Sequence, residues 1–147
     1  MTHVLIASAR FYDELADELE AGAIAAVEAA GATYELVTVP GALEVPAAIA
    51  LGVESMQFDA YVGLGAVIRG ETSHYDTVCN ESARGLNDLA LSYLAPIGNG
   101  IITVENMGQA LARARVADKN KGGAAAEAAL AVLKIKTQFG LTDEEAA

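Results

Sequence analysis

The chain has no tryptophan, one cysteine, three prolines and only 5% aromatic residues in 147 positions. A single cysteine, Cys79, cannot form an internal disulfide, and its solitude fits a reducing compartment, the cytoplasm. Its place in an expected helix reads as a structural thiol rather than a nucleophile. The two histidines, His3 and His74, have no spacing that resembles a ligand pair, so no metal site is expected. Basic residues are also scarce: 9 Lys and Arg stand against 20 Asp and Glu, for a net charge of −11. That average field repels a phosphate backbone and no basic stripe offsets it, which argues against nucleic-acid binding. No apolar run reaches membrane-spanning length, so no membrane association is expected. The first residues lack the basic region and long apolar core of a secretion leader.

What the chain does have is a 53% hydrophobic composition, weighted towards small side chains. This length suits one domain with a real core, residues 1–141, followed by an acidic tail, 142–147, expected to fray. Small apolar residues on helices allow close approach and leave surface for subunit contacts, so an oligomer is expected.

Apolar runs at 4–7, 34–39, 62–68 and 101–104 read as strands. Between and after them lie helical stretches opening at 13, covering 43–54, opening at 73, and covering 106–114 and 122–138. Gly31 stops the first helix, and Pro46 falls in the first turn of the second, where proline is tolerated. Strands that are continuous apolar runs, alternating with helices, predict an α/β fold. The expected form is a three-layer α/β/α sandwich with a central parallel four-stranded sheet and helices on both faces.

The chain is organised around residues 62–78. An apolar strand breaks at Gly70, and a helix restarts with Ser73 and Asp76 in an S-x-x-D pattern. In that pattern the serine hydroxyl would cap a free amide and the acid would complement the helix dipole. Gly70-Glu71-Thr72-Ser73 is then a strand-to-helix turn with outward amides, which attract anions and phosphate above all. His74 follows directly, a side chain able to take and return a proton near neutral pH.

Open parallel sheets bind ligands beyond the carboxyl ends of their strands, and the unusual residues fall there. Arg10-Phe11-Tyr12 follows the first strand and Pro40-Gly41-Ala42-Leu43-Glu44 the second. Together with the third loop they offer an aromatic platform, a carboxylate, an anion hole and a histidine. Phe11 could instead staple the first helix to the sheet, and Glu44 could simply be an acid favoured near a helix start. Arg69 reads as a surface charge and His3 as a strand-start residue. Arg113, Arg115, Lys119 and Lys121 crowd into one short stretch of an acidic chain. Asn120 reads as the N-cap of the last helix. Lys121 opposes that helix's dipole, either for an anionic or carbonyl-rich ligand or as a solvated lysine.

Ala9-Arg10-Phe11, Val39-Pro40-Gly41-Ala42-Leu43-Glu44-Val45-Pro46, Gly65-Ala66-Val67-Ile68-Arg69-Gly70-Glu71-Thr72-Ser73-His74, Thr103-Val104-Glu105-Asn106 and Asn120-Lys121-Gly122 occur in this order. In that order they resemble the 6,7-dimethyl-8-ribityllumazine synthase family of riboflavin biosynthesis. The resemblance implies a flavodoxin-like subunit in homopentamers, with each site between two neighbours and no cofactor or metal. It implies small-molecule substrates, 5-amino-6-ribitylamino-2,4-pyrimidinedione and 3,4-dihydroxy-2-butanone 4-phosphate, with loss of phosphate and water. By resemblance, Phe11 would stack on the pyrimidine. Gly41, Ala42, Leu43, Glu44, Val67 and Ile68 would hold the ribityl chain. Glu71 and Thr72 would cradle the phosphate, with Arg113 from the adjacent subunit region, and Arg115 is the alternative to that arginine. His74 would transfer protons and Lys121 would contact the pyrimidine edge.

Two positions depart from the commoner pattern. Asn99 stands where many members carry an aromatic, on the segment that completes the neighbour's site. Residues 114–119 also differ in a turn associated with shell assembly, which favours a free pentamer over a sixty-subunit shell. The contrasting expectation for such a chain is a flavin- or ribityl-binding or scaffold protein without catalysis.

Overall fold

The computed structural model describes residues 1–142; the expected tail therefore lies, from residue 143 on, outside the described residues. In chain order the elements are β1 (His3–Ala9), α1 (Asp13–Ala29), β2 (Thr33–Val39), a 3-10 turn (Ala42–Glu44), α2 (Val45–Ser55), β3 (Ala60–Ile68), α3 (His74–Tyr93), β4 (Ile97–Val104), α4 (Met107–Ala114) and α5 (Lys121–Gln138). The four strands form one sheet in the order β2-β1-β3-β4, every neighbouring pair parallel. Helices cover both faces, so the three-layer flavodoxin-like architecture is the one observed.

Alternation along the central strands divides the core. Val4 and Ile6 of β1, with Ala60, Val62 and Leu64 of β3, face α1, α4 and α5. Leu5 and Ala7, with Tyr61, face α2 and α3. Both strands are covered on two sides, which is why their apolar runs are unbroken. The outer strands differ from the expectation. Thr33, Glu35 and Thr38 of β2 are exposed, because β2 is an edge strand with one open side.

β4 is also longer than the sequence suggests, since it begins at Ile97 rather than 101. The glycines there are not breakers. A Cβ on Gly98 would land on the carbonyl oxygen of Ala125 in α5, and one on Gly100 would crowd Ala125 and Leu64. Glycine in this strand lets a helix backbone lie directly on the sheet. The same device joins α1 and α5, where a Cβ on Gly122 would land on the carbonyl of Leu19.

Helix ends are mostly as the local sequence dictates. Gly31 takes φ +75° just beyond α1, and Asn120 caps α5 by accepting from the Gly123 N–H at 3.2 Å. Among the described residues no helix is long and apolar enough to cross a membrane.

The chain steps from β1 to one side, at β2, and returns to the other side, at β3. The crevice beyond the carboxyl ends of β1 and β3 is thus a topological switch point, where parallel sheets open a ligand site.

Candidate functional site

Three loops meet at that crevice, and each is held by its own bonds. In the first, the Arg10 guanidinium donates to Asp17 at 2.6 Å, Glu20 at 2.7 Å and Asp13 at 3.2 Å, all on α1. Glu20 also accepts from the fully buried Ser8 hydroxyl at 2.6 Å. These carboxylates hold the Arg10 pKa above its ordinary value, chiefly through the bonds to Asp17 and Glu20. With Arg10 anchored, Phe11 is turned outward. It is 72% exposed and meets Tyr12 edge-on at 4.9 Å. Such exposure is not that of a staple packed into the core of the chain.

The second loop closes on itself: Glu44 Oε1 accepts from the Gly41 N–H at 3.0 Å. Ala42 is buried beneath it while Leu43 is exposed. The Glu44 carboxylate therefore fixes the turn as well as bordering the crevice.

In the third loop Gly70, Glu71, Thr72 and Ser73 are exposed, and among the described residues no protein acceptor takes their N–H groups. Ser73 does not cap α3 as expected. Its backbone is already helical, φ −71° and ψ −2°, and its hydroxyl makes no cap bond. A capping hydroxyl needs an extended backbone to reach back over the first turn. Thr72 takes part of that task, since its Oγ1 accepts from the His74 N–H at 3.3 Å.

Arg69 is more than the surface charge read from the sequence. It donates to Glu105 at 2.9 Å and its guanidinium lies 4.2 Å over the Tyr75 ring. Burial pushes the Tyr75 phenol up, and it does the same to the Cys79 thiol, which argues against a nucleophilic role there.

The loops enclose a cavity of about 460 Å³, a size suited to small organic ligands. Phe11, Gly41, Ala42, Leu43, Glu44, Val67, Ile68, Thr72 and His74 line it, together with Tyr12, Pro40, Ala66, Gly70, Tyr75 and Val78. Its floor is a small apolar cluster of Ala42, Val67 and Val78. Tyr75 and Val78 are the additions sequence reasoning missed. The available signal was the side-by-side placement of residues four apart on α3, which puts Val78 beside His74.

Five expected site residues are not in this lining. Glu71 belongs to the anion turn but lies outside the wall. Asn99 sits on β4, where its side chain accepts from the Ile101 N–H at 2.9 Å and borders a second hollow beside α3. Arg113 is on α4, bonded through its guanidinium to the Gln109 carbonyl at 3.1 Å, and Arg115 ends that helix. Lys121 opens α5. Helices α4 and α5 pack on the sheet face opposite α2 and α3, so one chain does not bring these cations to the cavity. Among the described residues no group of three or more His, Cys, Asp and Glu is placed to hold a metal ion.

The cavity thus offers an aromatic wall, an apolar floor, a row of free amides and a proton carrier beside them. Such a set binds a flat polar molecule and an anion side by side and moves protons between them.

The sequence model of the 6,7-dimethyl-8-ribityllumazine synthase family matches residues 1–137. A 6,7-dimethyl-8-ribityllumazine synthase of Sphingopyxis alaskensis is 62% identical over 141 residues, covering 96% of this chain and 99% of the relative. The one of Methylobacterium radiotolerans is 62% identical over 133 residues, 90% of this chain and 81% of the relative. The one of Agrobacterium fabrum is 57% identical over 143 residues, 94% of this chain and 97% of the relative.

Proposed function

The chain belongs to the 6,7-dimethyl-8-ribityllumazine synthase family, and from that premise we propose that the cavity at its switch point is where the two substrates meet. The reaction is a transferase step of riboflavin biosynthesis. It condenses 5-amino-6-ribitylamino-2,4-pyrimidinedione with 3,4-dihydroxy-2-butanone 4-phosphate, and phosphate and water leave. The observation that carries the assignment is the free-amide turn Gly70–Ser73 running directly into His74 at a cavity that Phe11 also lines.

Phe11 stacks on the pyrimidine ring, whose π face matches the exposed platform. The ribityl chain runs along Gly41, Ala42, Leu43, Glu44, Val67 and Ile68, where polar backbone groups border an apolar floor. The amides of Glu71 and Thr72 receive the phosphate. A four-carbon ketone and an aromatic amine held in register need little further activation, so much of the acceleration is positional. His74 then carries protons through the carbinolamine, imine and enol stages. It takes the ammonium proton as the C–N bond forms and returns one to the hydroxyl that departs as water.

A homo-oligomer supplies what one chain lacks. Arg113 or Arg115, Lys121 and Asn99 come from the neighbouring subunit, the arginine to the phosphate and the lysine to the pyrimidine edge. We take the assembly to be a pentamer working in the cytoplasm. The support is the chain's own separation of these residues from the cavity, together with exposed Leu51, Leu91, Val132 and Phe139 on its helices and the segment beyond α5.

The direct test mixes protein with both substrates and follows lumazine fluorescence against a blank without protein, since the substrates combine slowly by themselves. Formation well above the blank is expected. A rate equal to the blank from folded protein would instead favour a ribityl-binding or scaffold role.

A further inference from the structure

Arg69 and Glu105 stand outside the cavity wall, yet their contacts join the segments that flank the anion turn. Arg69 follows the last residue of β3, and its backbone N–H donates to the Val104 carbonyl at 2.9 Å. Its Nε donates to both carboxylate oxygens of Glu105, at 2.9 and 3.1 Å. The same guanidinium reaches Asp76, in the first turn of α3, at 3.8 Å and covers the ring of Tyr75, which lines the cavity. Glu105 is fixed in turn, because its N–H donates to the Gln109 side chain at 2.8 Å while Asn106 caps α4. The ends of β3 and β4 and the starts of α3 and α4 are thereby tied together around four residues, 70–73.

Those four residues have little else to hold them. Among the described residues, a Cβ on Gly70 would meet nothing within 4 Å, and the only side-chain bond at the turn is from the His74 N–H to Thr72. An amide cradle binds an anion well only when its N–H groups converge before the anion arrives. Arg69 is already engaged in this arrangement: Glu105 takes its Nε, Asp76 lies 3.8 Å from its guanidinium, and the Tyr75 ring centroid lies 4.2 Å from its Cζ.

We propose that Arg69, gripped by Glu105, is the positioning residue that sets the 70–73 turn for the phosphate group of the substrate. It acts through the turn and Tyr75 and touches no reacting atom. The inference rests on the reading of that turn as the phosphate site.

The experiment measures KM for each substrate, kcat, and inhibition by inorganic phosphate. It compares wild type, Arg69→Gln, Arg69→Glu, Glu105→Arg, the double charge reversal, and Thr72→Glu. An exposed but well-aligned pair predicts that Arg69→Gln raises KM for the butanone phosphate roughly two- to fivefold. Phosphate inhibition should weaken in parallel, while kcat and the KM for the pyrimidine hold. The single reversals should do more, and the double should return towards wild type. Equal loss across both substrates, no loss at all, or a double no better than the single reversals would overturn the role of the pair. Thr72→Glu separates the two layers. It places a carboxylate at the turn and should weaken both the butanone phosphate and inorganic phosphate. If it changes neither, the phosphate reading of the turn fails and the pair's role falls with it. If it weakens both while the Arg69 variants do not, the pair's role alone fails.

Discussion

Replacing Gly98 by alanine adds one methyl group where β4 and α5 touch through their backbones. That methyl would land on the Ala125 carbonyl oxygen, 2.7 Å from its carbon and 3.3 Å from its Cα. Carbon and oxygen atoms in contact normally stand well over 3 Å apart, so the helix must retreat by more than an ångström. No side chain can rotate away, because all three obstructing atoms are backbone. Retreat would also pull α5 from α1, where Gly122 lies against the Leu19 carbonyl. Overpacking a core typically costs about 1–3 kcal/mol, and a backbone obstruction belongs at or above the top of that range. A loss of about 3 kcal/mol corresponds to a fall in Tm of roughly 6–12 °C for a chain of this size. Urea denaturation and thermal melts at one fixed protein concentration would measure it, the concentration being held because assembly adds to apparent stability. Gly70→Ala is the control: among the described residues its Cβ meets nothing within 4 Å and its φ is not in the left-handed region, so stability should hold or rise slightly. A Gly98→Ala protein as stable as wild type would refute the claim that backbone contact fixes α5 on β4.

Other outcomes follow from the site and its frame. His74→Gln should cut kcat by roughly 10²–10⁴-fold and leave a rate above the uncatalysed one; an unchanged kcat would remove His74 from proton transfer. Phe11→Ala should raise KM for the pyrimidine roughly two- to tenfold through lost stacking. Because the ring is 72% exposed, Tm should hardly move, and a large fall in Tm would restore the staple reading. Asn120→Ala loses the cap on α5 and puts alanine at φ 47°, costing roughly 1–3 kcal/mol by urea denaturation, whereas Asn120→Gly should cost less. Equal losses for the two variants would show that left-handed backbone strain is not part of the cost.

Much of this protein is settled by order along the chain. Buried runs such as 4–7 and 62–68 alternate with helical periodicity, which dictates a covered parallel sheet whatever the order of its strands. Gly70 before a helix start dictates a turn with free amides, and His74 stands directly after that turn. Asn120 three residues before Gly123 dictates a cap. All of these depend on neighbours within one or two turns, so the sequence displays them.

The rest waited on the tertiary structure because it depends on which distant segments touch. That β2 is an edge, with Thr33, Glu35 and Thr38 exposed, follows from the strand order. The strand read from 101 is found to begin at Ile97, because Gly98 and Gly100 let α5 lie directly on it. Ser73 holds a capping residue type but not a capping backbone, since the conformation of the loop decides where its hydroxyl points. Arg69 looks solvated until Glu105 arrives from the end of the neighbouring strand. Arg113 and Lys121 are close in sequence to site motifs, yet the layers of the sandwich part them from Phe11 and His74, while Asn99 lies on the α3 side but borders a separate hollow. Local periodicity specifies elements and turns; only the packing of whole elements determines which side chains share a cavity.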